Sequence, residues 1–287
     1  MKKVLVLLVA AMATIGSVRA WEYENPGFEW SVGADVTSAY IWRGMKYGGL
    51  AFQPDVTIGY GGLNLDAWAN ISPTDYTFKE LMPELDITLS YTIAGLTVGV
   101  THQYYFDGSK YFDYRKPVLA DYEAENYGKG YAGNQTEVFA KFELGEIVEK
   151  VPLTFFWSTF VGGDDWIELH EDDTDPDKLT GLKQAYSSYF EIAYDAELPL
   201  GFTLTPTVGM TPWKSLYNFY EGNFSVNNIS LKLNWEHEFG DHFVLDVYAL
   251  GSLNTAGLNK SNVFPGIANS YNNQRLNGAI GIGLWFQ

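Results

Sequence analysis

Acidic side chains recur at every second position of several apolar segments, where they could set the electrostatic field of a water-filled channel. In residues 83–93, for example, Glu84 and Asp86 alternate with Leu85 and Ile87. Few basic residues share the polar side of these segments. The side chains that we predict to line the lumen or to set selectivity are Asp35, Arg43, Asp55, Asp66, Trp68, Asp86, Glu137, Lys141, Glu191, Asp195, Lys232 and Asp246.

The acidic surplus on this polar side has two interpretations. A charge that is buried without a partner loses much of its solvation energy, so water or bound cations are expected to fill part of the interior. This favours a pore for cations or neutral solutes. The alternative is a narrow barrel whose charges pair structurally and conduct poorly. Aromatic residues on the same side, such as Trp68, could form a sugar or nucleoside track, but packing is the favoured interpretation.

A second group of carboxylates lies between residues 162 and 182. Clustered carboxylates could bind Ca²⁺, which takes about six to eight oxygen ligands. The spacing lacks the central glycine of a calcium loop, so a solvated acidic surface loop is the favoured interpretation. No cofactor other than this loop-bound Ca²⁺ is expected. The candidate ligands are Asp164, Asp165, Asp172, Asp173 and Asp175.

The histidines are candidate catalytic residues because some barrels of about twelve strands are outer-membrane phospholipases. Such an enzyme needs a serine and a histidine close together on its lipid-facing surface. His102 falls on the apolar phase of its segment, but no His-x-Ser pair is present. Phosphate-binding, nucleophile-elbow and His-Glu-x-x-His motifs are also absent. The sequence therefore predicts a protein that is not an enzyme, with a lipid-active enzyme as the least favoured alternative.

The alternation that would position these residues repeats along the chain. Residues 28–42 carry apolar side chains at most even positions and polar side chains at most odd ones. A period of two predicts a strand with one apolar and one polar face. About twelve such strands are predicted, each near the roughly 9–11 residues that cross a bilayer. The others lie at 52–60, 63–71, 83–93, 96–106, 135–145, 151–162, 185–198, 202–213, 226–238, 243–253 and 274–287.

The connections between these segments alternate in length. Alternation of short turns with long loops is typical of periplasmic turns and extracellular loops in outer-membrane barrels. We therefore predict an all-β, transmembrane, antiparallel up-and-down β-barrel of about twelve strands, with both termini in the periplasm. Short turns are predicted near 61–62, 94–95, 145–150, 199–201 and 240–241, and long loops at 44–51, 73–82, 107–134, 163–184, 214–225 and 254–273.

A soluble all-β protein is the competing fold. Against it, the polar faces carry few lysines, and aromatic residues cluster at both ends of the apolar rows, as in the interfacial girdles of membrane barrels. One girdle is predicted at Phe28, Trp30, Phe202, Trp235 and Phe243, and the other at Tyr40, Trp42, Tyr104, Phe106 and Tyr186.

The N-terminal residues indicate export. Lys2 and Lys3 precede an apolar run that ends near a small-residue cleavage site, which predicts a signal peptide at 1–20 and a barrel domain at 21–287. The net charge of −17 argues against nucleic acid as a partner. The expected location is the outer membrane of a Gram-negative bacterium. The expected partners are outer-membrane lipid and lipopolysaccharide, the barrel-assembly machinery and a small hydrophilic solute.

Three short segments resemble the opening of a known family. Ser38-Ala39-Tyr40-Ile41-Trp42-Arg43-Gly44, the Phe52–Val56 segment, and Trp68-Ala69-Asn70 are similar to elements of the TorF-type porins. The resemblance covers about fifty residues and implies a small outer-membrane barrel of poorly known substrate. The function hypothesis is a porin-like channel for passive diffusion of small solutes, and the alternative is a non-conducting structural or adhesion barrel with acidic surface loops.

Overall fold

The computed structural model describes residues 27–73, 81–125, 133–148, 150–171, 175–220, 222–256 and 275–286. The predicted signal peptide lies outside these residues. The described residues form seventeen β-segments, one short α-helix, α1 (Leu119–Glu123), and three single-turn 3-10 helices (Leu144–Glu146, Pro199–Gly201 and Leu216–Asn218). The segments are β1 (Phe28–Thr37), β2 (Tyr40–Trp42), β3 (Met45–Gly48), β4 (Ala51–Tyr60), β5 (Leu63–Pro73), β6 (Leu81–Ile93), β7 (Leu96–Tyr104), β8 (Gln135–Glu143), β9 (Leu153–Gly163), β10 (Trp166–Glu171), β11 (Asp175–Gln184), β12 (Ser188–Tyr194), β13 (Ala196–Leu198), β14 (Phe202–Thr211), β15 (Ser225–Phe239), β16 (Phe243–Leu253) and β17 (Leu276–Phe286).

Antiparallel pairing closes the main sheet on itself. β1 pairs with β4 on one side and with β17 on the other, so the first and last wall strands are neighbours. β12 and β13 both pair with β14 and form one strand that is interrupted at Asp195. The wall therefore has twelve strands and no free edge, which confirms the predicted fold class. One end, here called the turn end, carries the short turns and both described termini, and the other is called the loop end.

The outer face of this wall is apolar. Outward-facing side chains such as Val36, Leu65, Ile192 and Leu284 are each 42–54% exposed. Exposure of aliphatic side chains around a closed sheet is the pattern of a barrel that faces lipid, because every backbone group already has its partner in the ladder. Among the described residues, no helix is long and apolar enough to cross a membrane.

The first predicted strand is shorter than its alternation suggested. β1 ends at Thr37, whose hydroxyl donates to the Ala39 carbonyl at 3.1 Å across a bend. The chain then forms the β2–β3 hairpin, with Arg43 and Gly44 in the left-handed region at φ 49° and 82°. Tyr40 and Trp42 belong to this hairpin and pack inside the barrel, so their predicted place in an outward girdle was wrong.

Three other boundaries differ from the sequence prediction. The loop predicted at 163–184 contains the β10–β11 hairpin, and the loop predicted at 107–134 contains α1. The loop predicted at 44–51 is largely β3. Each of these segments makes local backbone hydrogen bonds beyond the barrel wall, which a search for wall-length alternation does not detect.

Candidate functional site

The β2–β3 hairpin turns into the barrel and fills its loop end. Met45 of the hairpin is fully buried against Phe160 of β9, Tyr189 of β12 and Tyr217 of the β14–β15 loop. Residues 38–50 are therefore called the plug. A packed aromatic core therefore occupies part of the lumen at this level.

Arg43 joins the plug to the opposite wall. Its Nη1 and Nη2 atoms donate to the two carboxylate oxygens of Glu137 at 2.9 and 2.8 Å, and Nη1 also donates to the Tyr217 hydroxyl. The side chains of Arg43 and Glu137 are only 8% and 6% exposed. Four rings surround the guanidinium carbon at centroid distances of 4.3 Å for Trp42, 5.1 Å for Phe156, 5.0 Å for Tyr189 and 5.4 Å for Tyr217.

Further contacts hold the plug to other parts of the wall. The Asn277 side chain of β17 donates to the Gly44 carbonyl at 3.1 Å. On the other side, Tyr40 packs on Trp68 of β5 with ring centroids 5.7 Å apart, and its hydroxyl is hydrogen-bonded to the buried Glu84 of β6. The plug thus contacts the wall on several sides of the lumen.

Asp165 organises the loops that carry Tyr217. It is fully buried and accepts hydrogen bonds from the backbone N–H and hydroxyl of Ser187, from Gln184 and from the Tyr220 hydroxyl. The Ser187 hydroxyl oxygen in turn accepts from the backbone N–H of Leu216 at 2.7 Å. Burial raises the pKa of the Asp165 carboxyl, and these hydrogen bonds act in the opposite direction.

The plug leaves space on one side of the lumen. A cavity of about 200 Å³ lies between Tyr40 and Ile41 of the plug and the wall. The wall residues around it come from β1, β4, β5, β16 and β17, which are consecutive neighbours in the sheet. Its wall lining is Thr37, Gln53, Trp68, Tyr248, Leu250 and Ala279.

Four carboxylates lie on the same wall, one row closer to the turn end. Asp35 and Asp246 flank Gly283 in the register, and they interact electrostatically with each other and with Lys232. The Thr57 hydroxyl donates to Asp66 at 2.9 Å and lies 3.4 Å from Asp55. This set of Asp35, Asp55, Asp66 and Asp246 is called the acidic wall.

The acidic wall and the cavity are in register. Side chains alternate along a strand, so the next inward residue lies two positions away. Two positions toward the loop end from each acid stand Thr37, Gln53, Trp68 and Tyr248, all of which line the cavity. The carboxylates therefore lie directly beneath the space beside the plug, on four strands of one wall.

The other predicted lumen residues are distributed between the two ends. Asp86 lies beside Glu84 and Glu137 near the plug, and the Tyr189 hydroxyl donates to Glu191 at 2.5 Å. Asp195 accepts from Thr205 at 2.5 Å, close to the turn end. Lys141 pairs with Glu143 at 2.9 Å with both side chains 39% exposed, and Lys232 lies 4.7 Å from the Tyr248 ring centroid.

Sequence reasoning missed the residues that build the plug. Met45 and Tyr217 were assigned to surface loops, although both are fully buried. The available signal was the pair Arg43-Gly44 within an otherwise apolar alternation, because glycine after a charged residue is typical of a tight turn.

The predicted calcium ligands do not converge in the part of the chain that the structure describes. There, no group of three or more histidine or acidic side chains is placed to hold a metal ion. Asp165 is turned inward to Ser187, whereas Asp172, Asp173 and the side chain of Asp175 lie outside the described residues. Calcium binding by this loop stays a prediction.

His102 faces outward from β7, as its apolar phase indicated. Its Nδ1 atom lies 2.7 Å from the Thr136 hydroxyl and 3.2 Å from the Tyr114 hydroxyl, and its Nε2 lies 3.4 Å from the Phe112 backbone nitrogen. The residue is 4% exposed. Both ring nitrogens are therefore occupied by covering groups.

Gly209 offers a test of the plug's packing. A Cβ at this position would collide with the ring and hydroxyl of Tyr189, one of the rings around Arg43. We expect Gly209→Ala to displace Tyr189 and to lower the temperature at which the folded barrel unfolds in detergent. Gly251→Ala is the matched control, because nothing lies within 4 Å of a Cβ there. Equal unfolding temperatures for the two variants would contradict this role of Tyr189.

Comparisons with known proteins give structural likeness only. No family model and no curated protein matches the chain. A solved structure described as the KdgM porin is 6% identical, with 90% of this chain and 98% of that chain covered and a TM-score of 0.41. The Pseudomonas putida toluene transporter TodX is 7% identical, with 91% and 89% covered and a TM-score of 0.38. Salmonella typhi OmpF in complex with daunomycin is 9% identical, with 91% and 97% covered and a TM-score of 0.36.

The class of protein is defined by the chain's own features. A closed antiparallel wall with an apolar outer face and charged groups inside is a transmembrane β-barrel. The further feature is an internal plug held by an Arg43–Glu137 ion pair.

Proposed function

We propose that this protein is a porin-like outer-membrane channel that admits small cationic or neutral solutes along the acidic wall and past one side of the plug. Solutes enter the cavity of about 200 Å³ beside Tyr40 and Trp68. On this proposal the turn end faces the periplasm and the loop end faces the outside. The partners are the surrounding lipid and lipopolysaccharide, the barrel-assembly machinery and the solute itself.

The observation that carries the proposal is the register of the acidic wall with the cavity. Carboxylates that line a narrow, low-dielectric passage raise the local concentration of cations and repel anions. Asp66, Asp55 and Asp35 lie on the consecutive strands β5, β4 and β1, and Asp246 lies on β16, which is separated from β1 by β17. The basic residues Lys141 and Arg43 are paired with Glu143 and Glu137. Lys232 offsets one of the four charges of the acidic wall, so the net field along the passage is negative.

Planar-bilayer recording tests the proposal directly. Purified, folded protein is expected to give stepwise conductance, and a salt gradient is expected to give a reversal potential on the cation-selective side. Folding is checked independently by the migration of unheated protein on a gel. Folded protein without conductance steps, or with anion selectivity, would contradict the channel proposal.

Neutralising part of the acidic wall is expected to shift selectivity. The double variant Asp55→Asn, Asp66→Asn removes two negative charges from the passage, so its reversal potential should move toward zero. The matched control is Glu168→Gln, Glu171→Gln, which removes two charges from the β10–β11 hairpin, where these side chains are 46% and 42% exposed. An equal shift in both variants would mean that general surface charge, and not the acidic wall, sets selectivity.

A non-conducting structural or adhesion barrel is the second candidate, and the plug is the observation that favours it. Met45, Phe160 and Tyr217 are fully buried inside the wall at the loop end. If the passage beside Tyr40 is too narrow for hydrated ions, the wild-type protein should be silent in bilayers while variants that release the plug conduct.

A further inference from the structure

The outer surface of the barrel carries an aromatic and basic segment that the channel does not use. After β7 ends at Tyr104, Tyr105 faces the interior and is hydrogen-bonded to Glu84, and residues 106–118 then fold back over the outside of β7 and β8 at the loop end. This segment is called the flap. It lies on the apolar face of the barrel, between exposed aliphatic side chains and the loops.

The flap covers polar groups that would otherwise face lipid. His102 and Thr136 occupy the same outward phase as Val100 and Val138, and they pair across the two strands. A polar pair in contact with hydrocarbon is costly unless its hydrogen bonds are satisfied and shielded. The Tyr114 hydroxyl lies 2.7 Å from the Thr136 hydroxyl, and the His102 ring lies 4.4 Å from that of Phe112.

The base of the flap is fixed to the barrel. Asp107 accepts hydrogen bonds from the backbone N–H groups of Ser109 and Gly133 at 2.8 and 2.5 Å. The Asn134 side chain donates to the Ser109 hydroxyl at 3.1 Å and to the Lys110 carbonyl at 3.0 Å. These hydrogen bonds therefore hold the flap in a defined position on the wall.

The outer side of the flap combines exposed apolar and basic groups. Phe106, Phe112, Tyr114 and Val118 are 45–61% exposed, and they continue the apolar outer face of the wall. Lys110, Arg115 and Lys116 are exposed beside them. Aromatic residues next to basic ones are typical of the membrane interface, where rings lie at headgroup level and cations meet phosphate.

The charge of the flap contrasts with that of the whole chain. Three basic and two acidic residues lie within 106–118, whereas the chain as a whole has a net charge of −17. Asp107 is occupied by backbone N–H groups, and Asp113 pairs with Arg115 at 2.5 Å. The hydrogen bonds from Arg115 lower the pKa of the Asp113 carboxyl, so this pair stays ionised. The flap therefore has a net charge of +1, and Lys110 and Lys116 are its exposed cations outside the Arg115–Asp113 pair.

We propose that the flap is a binding surface for the phosphate groups of a phosphorylated lipid in the adjoining leaflet. Lys110 and Lys116 contact the phosphates, while Phe112 and Tyr114 pack beside the first carbons of the acyl chains. The proposal rests on the transmembrane position of the barrel and does not require that the barrel conducts ions. The positive charge of the flap is complementary to lipid phosphate, and its apolar side chains are continuous with the lipid-facing wall.

Native mass spectrometry of the purified protein with added lipid A tests this surface. Wild-type protein is expected to retain lipid A, and Lys110→Glu, Lys116→Glu is expected to retain at least several-fold less. The control Lys183→Glu, Lys214→Glu makes the same change of charge at two exposed lysines outside the flap and should retain as much as wild type. Migration of unheated protein on a gel verifies that every variant is folded.

Two further samples identify the chemistry that is recognised. Lipid A without its phosphates should bind weakly to wild-type protein, and inorganic phosphate at millimolar concentration should compete poorly because it lacks the acyl chains. Equal retention by the flap and control variants would overturn the proposal, as would equal retention of the dephosphorylated lipid. Full displacement by inorganic phosphate would also overturn it, since the site would then be one for free phosphate.

Discussion

Arg43→Ala is expected to open the loop end of the barrel and to increase single-channel conductance. The substitution removes the hydrogen bonds to Glu137 and Tyr217 and leaves a buried carboxylate without its cation. Breaking a buried ion pair in this way costs about 3–5 kcal/mol. If the free energy that holds the plug docked falls by ~3 kcal/mol, the ratio of undocked to docked states rises by roughly a hundredfold.

The conductance trace distinguishes release of the plug from a general loss of charge. Glu171→Ala breaks the exposed Lys178–Glu171 pair, whose side chains are 58% and 42% exposed, and it should leave conductance unchanged. Added guanidinium ion should partly restore the closed state of Arg43→Ala, because the ring cage and Glu137 remain. If Arg43→Ala conducts as wild type does, the plug is not the constriction.

Asp165→Ala is expected to be the most destabilising single change in the loops. It removes the acceptor for four hydrogen bonds and leaves the buried Ser187 N–H without a partner. Loss of charged hydrogen bonds and an unsatisfied buried donor together cost about 3–5 kcal/mol. Thermal unfolding in detergent, followed by circular dichroism, measures this loss as a lower midpoint.

The same substitution also tests how the loops are connected to the plug. Tyr217 contacts Arg43, and the Ser187 hydroxyl that binds Asp165 also accepts from Leu216 N–H. Asp165→Ala should therefore raise conductance as well as lower stability. Asp164→Ala is the neighbouring control. If hydrogen bonding alone explains the role of Asp165, removal of Ca²⁺ should change the stability of neither the Asp165→Ala nor the Asp164→Ala variant. A large, chelator-sensitive loss in the wild type would instead support the calcium hypothesis.

The wall of the barrel could be predicted from sequence because its two faces meet different solvents. β17 alternates strictly, with Ile280, Ile282 and Leu284 exposed and Asn277 and Ala279 buried. The same rule failed beyond Thr37, since Tyr40 and Trp42 continue the alternation but face a packed interior. A period of two indicates that one face of the segment is apolar, but it does not show whether that face contacts lipid or a protein core.

The candidate site was predictable only in part, because its contacts join distant segments. The acidic wall follows from strand phase, whereas the partner of Arg43 depends on which strands face each other across the lumen. Asp165 illustrates the same limit within a run of acids. Its neighbours in sequence suggested a solvated loop, and its burial depends on Ser187 and Tyr220.

The route by which the plug is attached has a consequence for assembly. The hairpin is made early in the chain, but its contacts at Glu137, Tyr217 and Asn277 lie 94, 174 and 233 residues further on. Contacts of such long sequence separation form late in folding, because the intervening chain must first be ordered. The plug can dock on Asn277 only after β17 has been made, and β17 is also the strand that joins β1 to seal the wall. The last contact of the plug, that of Gly44 with Asn277, is therefore completed together with the closure of the barrel.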